Sequence, residues 1–349
     1  MARIKKEISS FIIDLIKSYP LCSSKNIYDG LEGKFSYATI KRTISHLLKQ
    51  DLIIATGRGK STKYNISSAY ELIQVINTDE YFKKEIDERV IKNSFNHVLV
   101  KDTLNTTQLF SDAELKHLIE LQNQYKKDLS KLTKSEYKKE LEHLAIDLSW
   151  KSSQIEGNTY SLLETERLLK EQKTAAGKTK DEATMLLNHK SALDFIISHP
   201  RYLKPLSISR IEDIHSLLVK NLNIMHNVRK RRVGISGTNY KPLDNEFQIR
   251  EAMQDMCKLV NKQKNTFTRA LLVLVLISYI QAFDDGNKRT ARIISNAILV
   301  SNGHCPISFR TVDSVDYKKA LLIFYEQNNV SAFKKIFIEQ FEFAVKTYF

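Results

Sequence analysis

The sequence predicts a mainly α-helical protein with a small α+β domain at its N-terminus. Apolar residues recur at helical spacing through most of the chain, as in Asp112–Leu129 and Glu182–Ile197. Short apolar runs bounded by turn residues, which are typical of strands, are clearest in residues 51–66. The length of 349 residues exceeds one average domain, and a hydrophobic content of 42% suffices for packed cores. We therefore expect two or more folded units.

Several features of the sequence argue against a secreted or membrane protein. The N-terminus lacks the apolar core and cleavage site of a signal peptide. The apolar run Ala270–Ile280 is far too short to cross a membrane. Cys22, Cys257 and Cys305 are scattered and match no disulfide or zinc spacing. We expect a cytoplasmic protein with reduced thiols and no membrane partner.

The positive charge is concentrated near the N-terminus. The chain has a formal net charge of +14, and residues 1–68 hold 12 Lys and Arg against 5 Asp and Glu, which is +7 of that total. Such an excess favours a polyanionic partner. The alternative is a lysine-rich surface that only keeps the protein in solution.

Residues 1–75 are interpreted as one domain that resembles a winged helix-turn-helix. Two helices are followed by a third over Tyr37–Gln50, and then by strands Asp51–Thr56 and Lys63–Ile66 with a basic tip between them. Winged helices bind DNA, but they also serve as protein-interaction modules. The candidate DNA contacts are Tyr37, Thr39, Lys41, Arg42 and Thr43, with Arg58 and Lys60 on the wing.

Residues 76–133 are interpreted as a connector. Its clearest element is the amphipathic helix Asp112–Leu129, and Phe95–Val100 is expected to be a strand. No residue pattern in this region points to chemistry, so we expect it to link or support the other parts.

The most informative stretch is Gln281-Ala-Phe-Asp-Asp-Gly-Asn-Lys-Arg-Thr-Ala-Arg292. It lies between two apolar helical patterns, Ala270–Ile280 and Ile293–Val300. Backbone N–H groups at the start of a helix, with Lys and Arg beside them, form an anion site. The stretch therefore predicts a phosphate-binding turn between two buried helices.

This stretch resembles the signature of the Fic (Fido) family, His-x-Phe-x-(Asp/Glu)-Gly-Asn-(Gly/Lys)-Arg-x-x-Arg. Most members are protein adenylyltransferases, which move AMP from ATP to a hydroxyl of a target protein. The resemblance implies an all-helical Fic core over residues 181–305, with C-terminal helices over residues 306–349. Every fixed position of the signature matches except the first, where the family histidine is replaced by Gln281.

The resemblance also implies a role for each matching residue. Asp285 would hold Mg²⁺, which bridges the ATP phosphates. Gly286, Asn287 and Lys288 would form the anion cradle. Arg289 and Arg292 would clamp phosphates, and Tyr317, in a weaker match downstream, would lie near the adenine. The implied cofactors are ATP and Mg²⁺.

A second motif lies in the segment 134–180, which we interpret as an inhibitory helix and the helix after it. Ser152-Ser-Gln-Ile-Glu-Gly157 resembles the family's inhibitory motif, (Ser/Thr)-x-x-x-Glu-(Gly/Asn). In such proteins the glutamate, here Glu156, pairs with the second signature arginine, here Arg292. A carboxylate and a phosphate compete for one guanidinium fork, so this pairing would oppose ATP binding.

Val233–Tyr240 is expected to form a small β-hairpin, at the place where the family has its flap. The flap holds a target segment as an added strand, which depends on main-chain hydrogen bonds. The implied partner is a target protein, and a homodimer remains open.

Gln281 leaves the function open. A glutamine amide cannot take the proton from the attacking hydroxyl, as the family histidine does. The protein is then a self-inhibited adenylyltransferase with weak or altered activity, or a catalytically inactive, nucleotide-sensing DNA-binding regulator. An engineered substitution at this position is the third explanation.

Overall fold

The computed structural model describes residues 2–349 of the chain, and the side chains of residues 7–349. The chain divides into two compact units, of which the first ends at Gln74 and the second is Val75–Phe349. Both units are mainly helical, as the sequence predicts.

The first unit packs its helices against a two-stranded hairpin. The side chains of Ser23 and Ser36 accept hydrogen bonds from the first turns of the second and third helices, which fixes where these helices begin. The strands are antiparallel, with Ile53 opposite Ile66. The elements are α1 (Ala2–Ser18), α2 (Ser24–Gly30), α3 (Tyr37–Lys49), β1 (Ile53–Thr56), β2 (Lys63–Ile66) and α4 (Ser68–Ile73). This order of elements agrees with the predicted one, and the assignment as a winged helix stays a prediction.

The second unit begins with a segment of short helices and continues as a bundle of longer ones. The short helices are α5 (Thr78–Tyr81) and α6 (Leu104–Thr106), the latter preceded by a π-helical turn over Leu99–Thr103. The first long helices are α7 (Asp112–Leu129), α8 (Lys134–Ile155), α9 (Leu162–Glu171), α10 (Lys180–Ser198) and α11 (Ile208–Val219). The remaining ones are α12 (Glu246–Lys262), α13 (Thr266–Ile280), α14 (Asn287–Ser301), α15 (Ser314–Gln327) and α16 (Ser331–Tyr348).

Helix α13 forms the centre of this bundle. It is buried on all sides from Ala270 to Ile280, which explains why its sequence is apolar without a polar face. The helix ends at Gln281, whose φ of 51° is left-handed, and α14 starts after Gly286. The turn between two buried helices is therefore where their polar termini meet.

Two predicted strand segments are wrong. Val233–Tyr240 is a loop with a turn near Gly237, and none of its residues, all of them described, belongs to a strand. Two contacts tie this region to the connector instead. Arg89 donates to the Gly237 carbonyl, and the Lys241 N–H donates to the Asn93 carbonyl. Phe95–Val100 is not a strand either, since the π-helical turn that precedes α6 starts at Leu99.

Within residues 2–349, none of the helices combines the length and apolarity that a membrane crossing requires. The three cysteines are buried and unpaired.

Candidate functional site

A cavity of about 410 Å³ opens at the turn between α13 and α14. Residues at the C-terminal end of α8, the turn, the loop Gly234–Ser236 and α15 line it. Its polar lining residues include Glu156, Gln281, Asp284, Asp285, Asn287 and Lys288, and its apolar ones include Ile235, Leu321, Leu322 and Tyr325. The volume falls in the usual range for small-molecule sites.

Two buried arginines do not line this cavity but pair with carboxylates that do, Arg289 with Asp285 and Arg292 with Glu156. Arg289 and Arg292 are 1% and 0% exposed. Their spacing along α14 puts both on the side of the helix that faces the bundle. Arg289 Nε and Nη1 and Arg292 Nη1 have no hydrogen-bond partner among the described residues. Buried N–H groups of a charged side chain are costly when unpaired, so an anion that accepts from them would stabilise the site.

Glu156 occupies part of this positive site. Its Oε1 accepts from Arg292 Nη2 at 2.9 Å, and its Oε2 accepts from Lys288 Nζ at 2.8 Å. Burial alone would raise the pKa of Glu156, but Arg292 and Lys288 outweigh burial and lower the pKa to about 2. The carboxylate is therefore ionised at neutral pH, and it competes with any phosphate for the same donors. Its inhibitory role stays a prediction.

Ser152 holds Arg292 from one turn earlier on α8. Arg292 Nε donates to Ser152 Oγ at 2.8 Å, and Nη2 donates to the Ser152 carbonyl at 2.9 Å. Gly157 follows with a φ of 100°, which glycine adopts without steric cost, and it allows the chain to leave the helix directly after Glu156.

Asp285 is the candidate metal ligand. Its side chain is 57% exposed, and Oδ2 pairs with Arg289 Nη2 at 2.9 Å. No group of three or more His, Cys, Asp or Glu side chains in the described part of the chain could hold a metal ion by itself. Mg²⁺ at nucleotide sites commonly uses one or two carboxylates plus substrate phosphates, and a lone exposed carboxylate beside an anion site fits that pattern.

Gly286 keeps the turn close to a buried histidine. Its φ is 79°, and a Cβ at this position would lie 3.1 Å from His215 Cε1. His215 stacks on Phe283 with ring centroids 3.7 Å apart. Burial, with a smaller contribution from Arg289, lowers the pKa of His215 to about 3, so the ring is neutral at physiological pH.

Gln281 is fixed by both ends of its amide. Nε2 donates to the Ser278 carbonyl at 2.6 Å, and Oε1 accepts from Asn287 Nδ2 at 3.0 Å. His226 and His304 do not line the cavity, and His304 instead interacts through Nδ1 with the Asn302 carbonyl at 2.9 Å. No described histidine lines the cavity.

Tyr317 does not line the cavity. It is fully buried, and the Arg292 guanidinium lies 5.2 Å from its ring centroid. It could therefore position Arg292. Lys318 and Tyr325, which sequence patterns do not single out, line the cavity, as does Ser236 within the predicted flap. Lys318 is adjacent to Tyr317, but nothing in the sequence showed which of the two faces outward.

The predicted DNA contacts all lie in the first unit. Lys41 and Arg42 line a shallow concavity with His46 and Lys49 on α3, and Arg58 and Lys60 are exposed at the hairpin tip. The Tyr37 hydroxyl interacts with Ser24 Oγ at 2.9 Å. Thr39 contributes to the N-cap of α3, since its hydroxyl lies 2.8 Å from Ser36 Oγ.

Comparison with known proteins identifies relatives of the second unit. Residues 205–299 match the sequence model of the Fic/DOC family. The protein adenylyltransferase fic-1 of Caenorhabditis elegans is 25% identical over 173 residues, covering 48% of this chain and 34% of its own length. The protein adenylyltransferase Fic of Nematostella vectensis is 29% identical over 177 residues, covering 49% and 41%. The chain thus spans less than half of these relatives.

Solved structures support the fold. Fic-1 (residues 134–508) of C. elegans has a TM-score of 0.59 at 20% identity, covering 68% of this chain and 72% of that one. A Fic domain containing signaling protein from Bacteroides thetaiotaomicron has a TM-score of 0.57 at 19% identity, covering 66% and 95%. The chain therefore contains a Fic/DOC family domain in a Fic-type fold, and Fic protein adenylyltransferases are among its homologues.

Proposed function

We propose that the second unit binds ATP with Mg²⁺ and is a self-inhibited protein adenylyltransferase whose activity is weakened by Gln281. The observation that carries this proposal is the pair of buried arginines, Arg289 and Arg292, which have unpartnered N–H groups and whose carboxylate partners line the cavity. A phosphate chain supplies the acceptors that these groups lack.

The residues of the turn have distinct tasks in this proposal. Lys288, Arg289 and Arg292 bind the phosphates, together with the backbone N–H groups at the start of α14. Asp285 would hold Mg²⁺, which neutralises phosphate charge when it is bound. The apolar residues of α15, Leu321 and Leu322, exclude water from one side of the cavity.

The transfer step needs a proton acceptor that the site does not supply. The hydroxyl oxygen of the target attacks the α-phosphorus, the bond from that phosphorus to the β-phosphate oxygen breaks, and pyrophosphate leaves. The hydroxyl proton must leave as well, and the Gln281 amide cannot take it. Loss of a general base typically costs about 10²- to 10⁴-fold in rate. Positioning by the buried cations supports a residual rate.

Glu156 accounts for the self-inhibition. A phosphate that reached Arg292 Nη2 would have to displace the Glu156 carboxylate from a buried position. Because both ligands are anions, they cannot occupy the site together without strong repulsion.

An ATP titration tests binding and inhibition without a known target. We expect the wild type to bind ATP weakly and Glu156→Gly to bind it more tightly, measured by calorimetry with Mg²⁺ present. Equal affinities would overturn the inhibition, and no binding by either protein would overturn the nucleotide site.

The loop Val233–Tyr240 is the proposed contact for the target protein. Gly234, Ile235 and Ser236 line the cavity, so an extended segment beside them would bring a hydroxyl towards the phosphates. Labelled ATP with candidate proteins, using Glu156→Gly, Gln281→His and the double variant, tests the transfer.

A second candidate function is DNA binding by the first unit. It is favoured by exposed basic residues on α3 and at the hairpin tip, including Lys41, Arg42, Arg58 and Lys60. In this reading the protein is a regulator that senses nucleotide without transferring it. This hypothesis is tested by measuring the DNA affinity of the full chain with and without ATP over a series of salt concentrations. An affinity that does not depend on salt would contradict it.

A further inference from the structure

One segment of the connector is anchored to the end of α15 by a buried carboxylate. We call Thr78–Ser94 the strap. Glu326 is fully buried, and it accepts from Arg89 Nη1 at 3.0 Å and from the Tyr81 hydroxyl at 2.6 Å. Burial and the hydrogen bond to Glu326 raise the pKa of Tyr81, so the hydroxyl keeps its proton and remains a donor.

Arg89 connects this anchor to the loop whose residues Gly234–Ser236 line the cavity. Its second terminal nitrogen, Nη2, donates to the Gly237 carbonyl at 3.1 Å. The side chain is only 5% exposed, and its guanidinium lies 5.2 Å from the ring centroid of Phe82. The planar fork therefore binds a carboxylate on one side and a backbone carbonyl on the other, a geometry that lysine cannot reproduce.

We call residues 233–241 the cavity loop. Further contacts join the strap to this loop. Asn239 Nδ2 donates to Asp87 Oδ1 at 3.2 Å, and the Lys241 N–H donates to the Asn93 carbonyl at 2.9 Å. Ser94 and Lys241 also form a parallel β-bridge. The strap thus engages the part of the loop from Gly237 to Lys241, whereas Gly234 to Ser236 line the cavity.

We propose that the strap holds the cavity loop in place and thereby controls access to the cavity, with Arg89 as the positioning residue. This proposal depends on the proposed function only in taking ATP as the ligand of the cavity. It follows that an extended partner segment has to pair along Gly234–Ser236, because the strap engages the backbone at Gly237 and Lys241. The strap also starts shortly after Gln74, so it is a short covalent route from the first unit to the cavity.

The matched experiment uses two conservative substitutions. Arg89→Lys keeps a cation beside Glu326 but removes the fork that reaches Gly237. The control is Arg310→Lys, because Arg310 also shares a carboxylate with a tyrosine: Asp147 accepts from Arg310 Nη1 at 3.1 Å and from the Tyr348 hydroxyl. The hydrogen bonds of Arg310 are to Ser308 and Asp147, which lie outside the cavity loop.

The primary measurement is amide hydrogen exchange in the full chain. We expect Arg89→Lys to accelerate exchange at residues 237–241 by about tenfold, the equivalent of losing one charged hydrogen bond, while exchange in α13 is unchanged. Arg310→Lys should leave residues 237–241 within about twofold of the wild type. Unchanged exchange in Arg89→Lys, or equal acceleration in both variants, would overturn the proposal.

A milder variant covers the case in which Arg89→Lys does not fold. Asn239→Ala removes only an exposed contact to Asp87, and we expect faster exchange in the same residues by a smaller factor. If it folds and shows no acceleration, the strap does not hold the loop.

ATP binding gives the second readout. The affinity of Arg89→Lys for ATP should differ from that of Arg310→Lys, because only the first variant alters the cavity loop. If hydrogen exchange responds as expected but no variant binds ATP, the proposed nucleotide site is wrong, and the role of the strap in holding the cavity loop is still supported. If affinity is identical in both variants while the wild type binds ATP, the strap does not control access.

Discussion

The arginines of the two units differ in their surroundings. Arg42 and Arg58 in the first unit are exposed, and neither forms an ion pair with any side chain that the structure describes. Arg289 and Arg292 in the second unit are almost completely buried, and each pairs with a carboxylate. Water and salt weaken the field of exposed charges, whereas buried ones act strongly but only on an anion in the right place. The first arrangement suits an extended polyanion, and the second suits one small phosphate ligand.

The largest expected effect concerns the chemistry beside the buried pair. Gln281→His in a Glu156→Gly background should raise AMP transfer by about 10²- to 10⁴-fold over Glu156→Gly alone, because the histidine can accept the hydroxyl proton. Transfer is measured as label from ATP retained on protein. Equal labelling, with ATP binding intact in both variants, would show that this site does not support base catalysis.

Salt should separate the two sets of arginines. If the first unit neutralises about four DNA phosphates, its affinity falls by roughly 10²-fold between about 50 and 200 mM salt. ATP binding by Glu156→Gly should change much less, since its contacts are buried. Lys41→Ala should reduce the slope of log affinity against log salt by about one. A steep salt dependence of ATP binding would contradict the comparison.

Replacing one arginine of each set by lysine is a narrower test. Arg292→Lys in the Glu156→Gly background should weaken ATP binding by roughly 10- to 100-fold, because lysine cannot form the guanidinium's planar fork. Arg42→Lys should leave ATP binding unchanged, and both affinities are measured by calorimetry. The comparison fails if the two substitutions have equal effects.

The smallest effect is expected from pH. The pKa of Glu156 is about 2 in the folded chain, below the value of roughly 4.3 for an unperturbed glutamate. Its ionisation therefore contributes stability above about pH 4.3, and this contribution is lost as the pH falls towards 2. The difference in free energy of unfolding between wild type and Glu156→Gln should be constant from about pH 5 to 8. Denaturant titrations measure it, and a change near pH 6 would implicate another group.

Contiguous features could be predicted from the sequence, and distant pairings mostly could not. The polar turn at Asp285–Arg292 can be predicted from the sequence because its residues are adjacent and lie between two apolar runs. The pairing of Glu156 with Arg292, 136 positions apart, was expected only through family resemblance. The loop at Gly237 was predicted wrongly as a hairpin, because its hydrogen-bond donor, Arg89, is 148 positions away. Tyr317 is predicted to lie near the adenine, but its ring packs against the Arg292 guanidinium. Helical periodicity alone does not show this contact.

Ser152 has a consequence for the extent of inhibition. Its hydroxyl and carbonyl both accept from Arg292, and neither bond involves Glu156, so we expect both to remain in a Glu156 variant. We therefore expect the Arg292 guanidinium of such a variant to stay oriented towards α8, with only part of its donors available to a phosphate. If Glu156 inhibits as proposed, we expect relief of inhibition in two steps, first loss of the carboxylate and then release of Arg292 from Ser152. On that proposal, a change that also removed both Ser152 contacts would favour phosphate binding more than a substitution at position 156 alone.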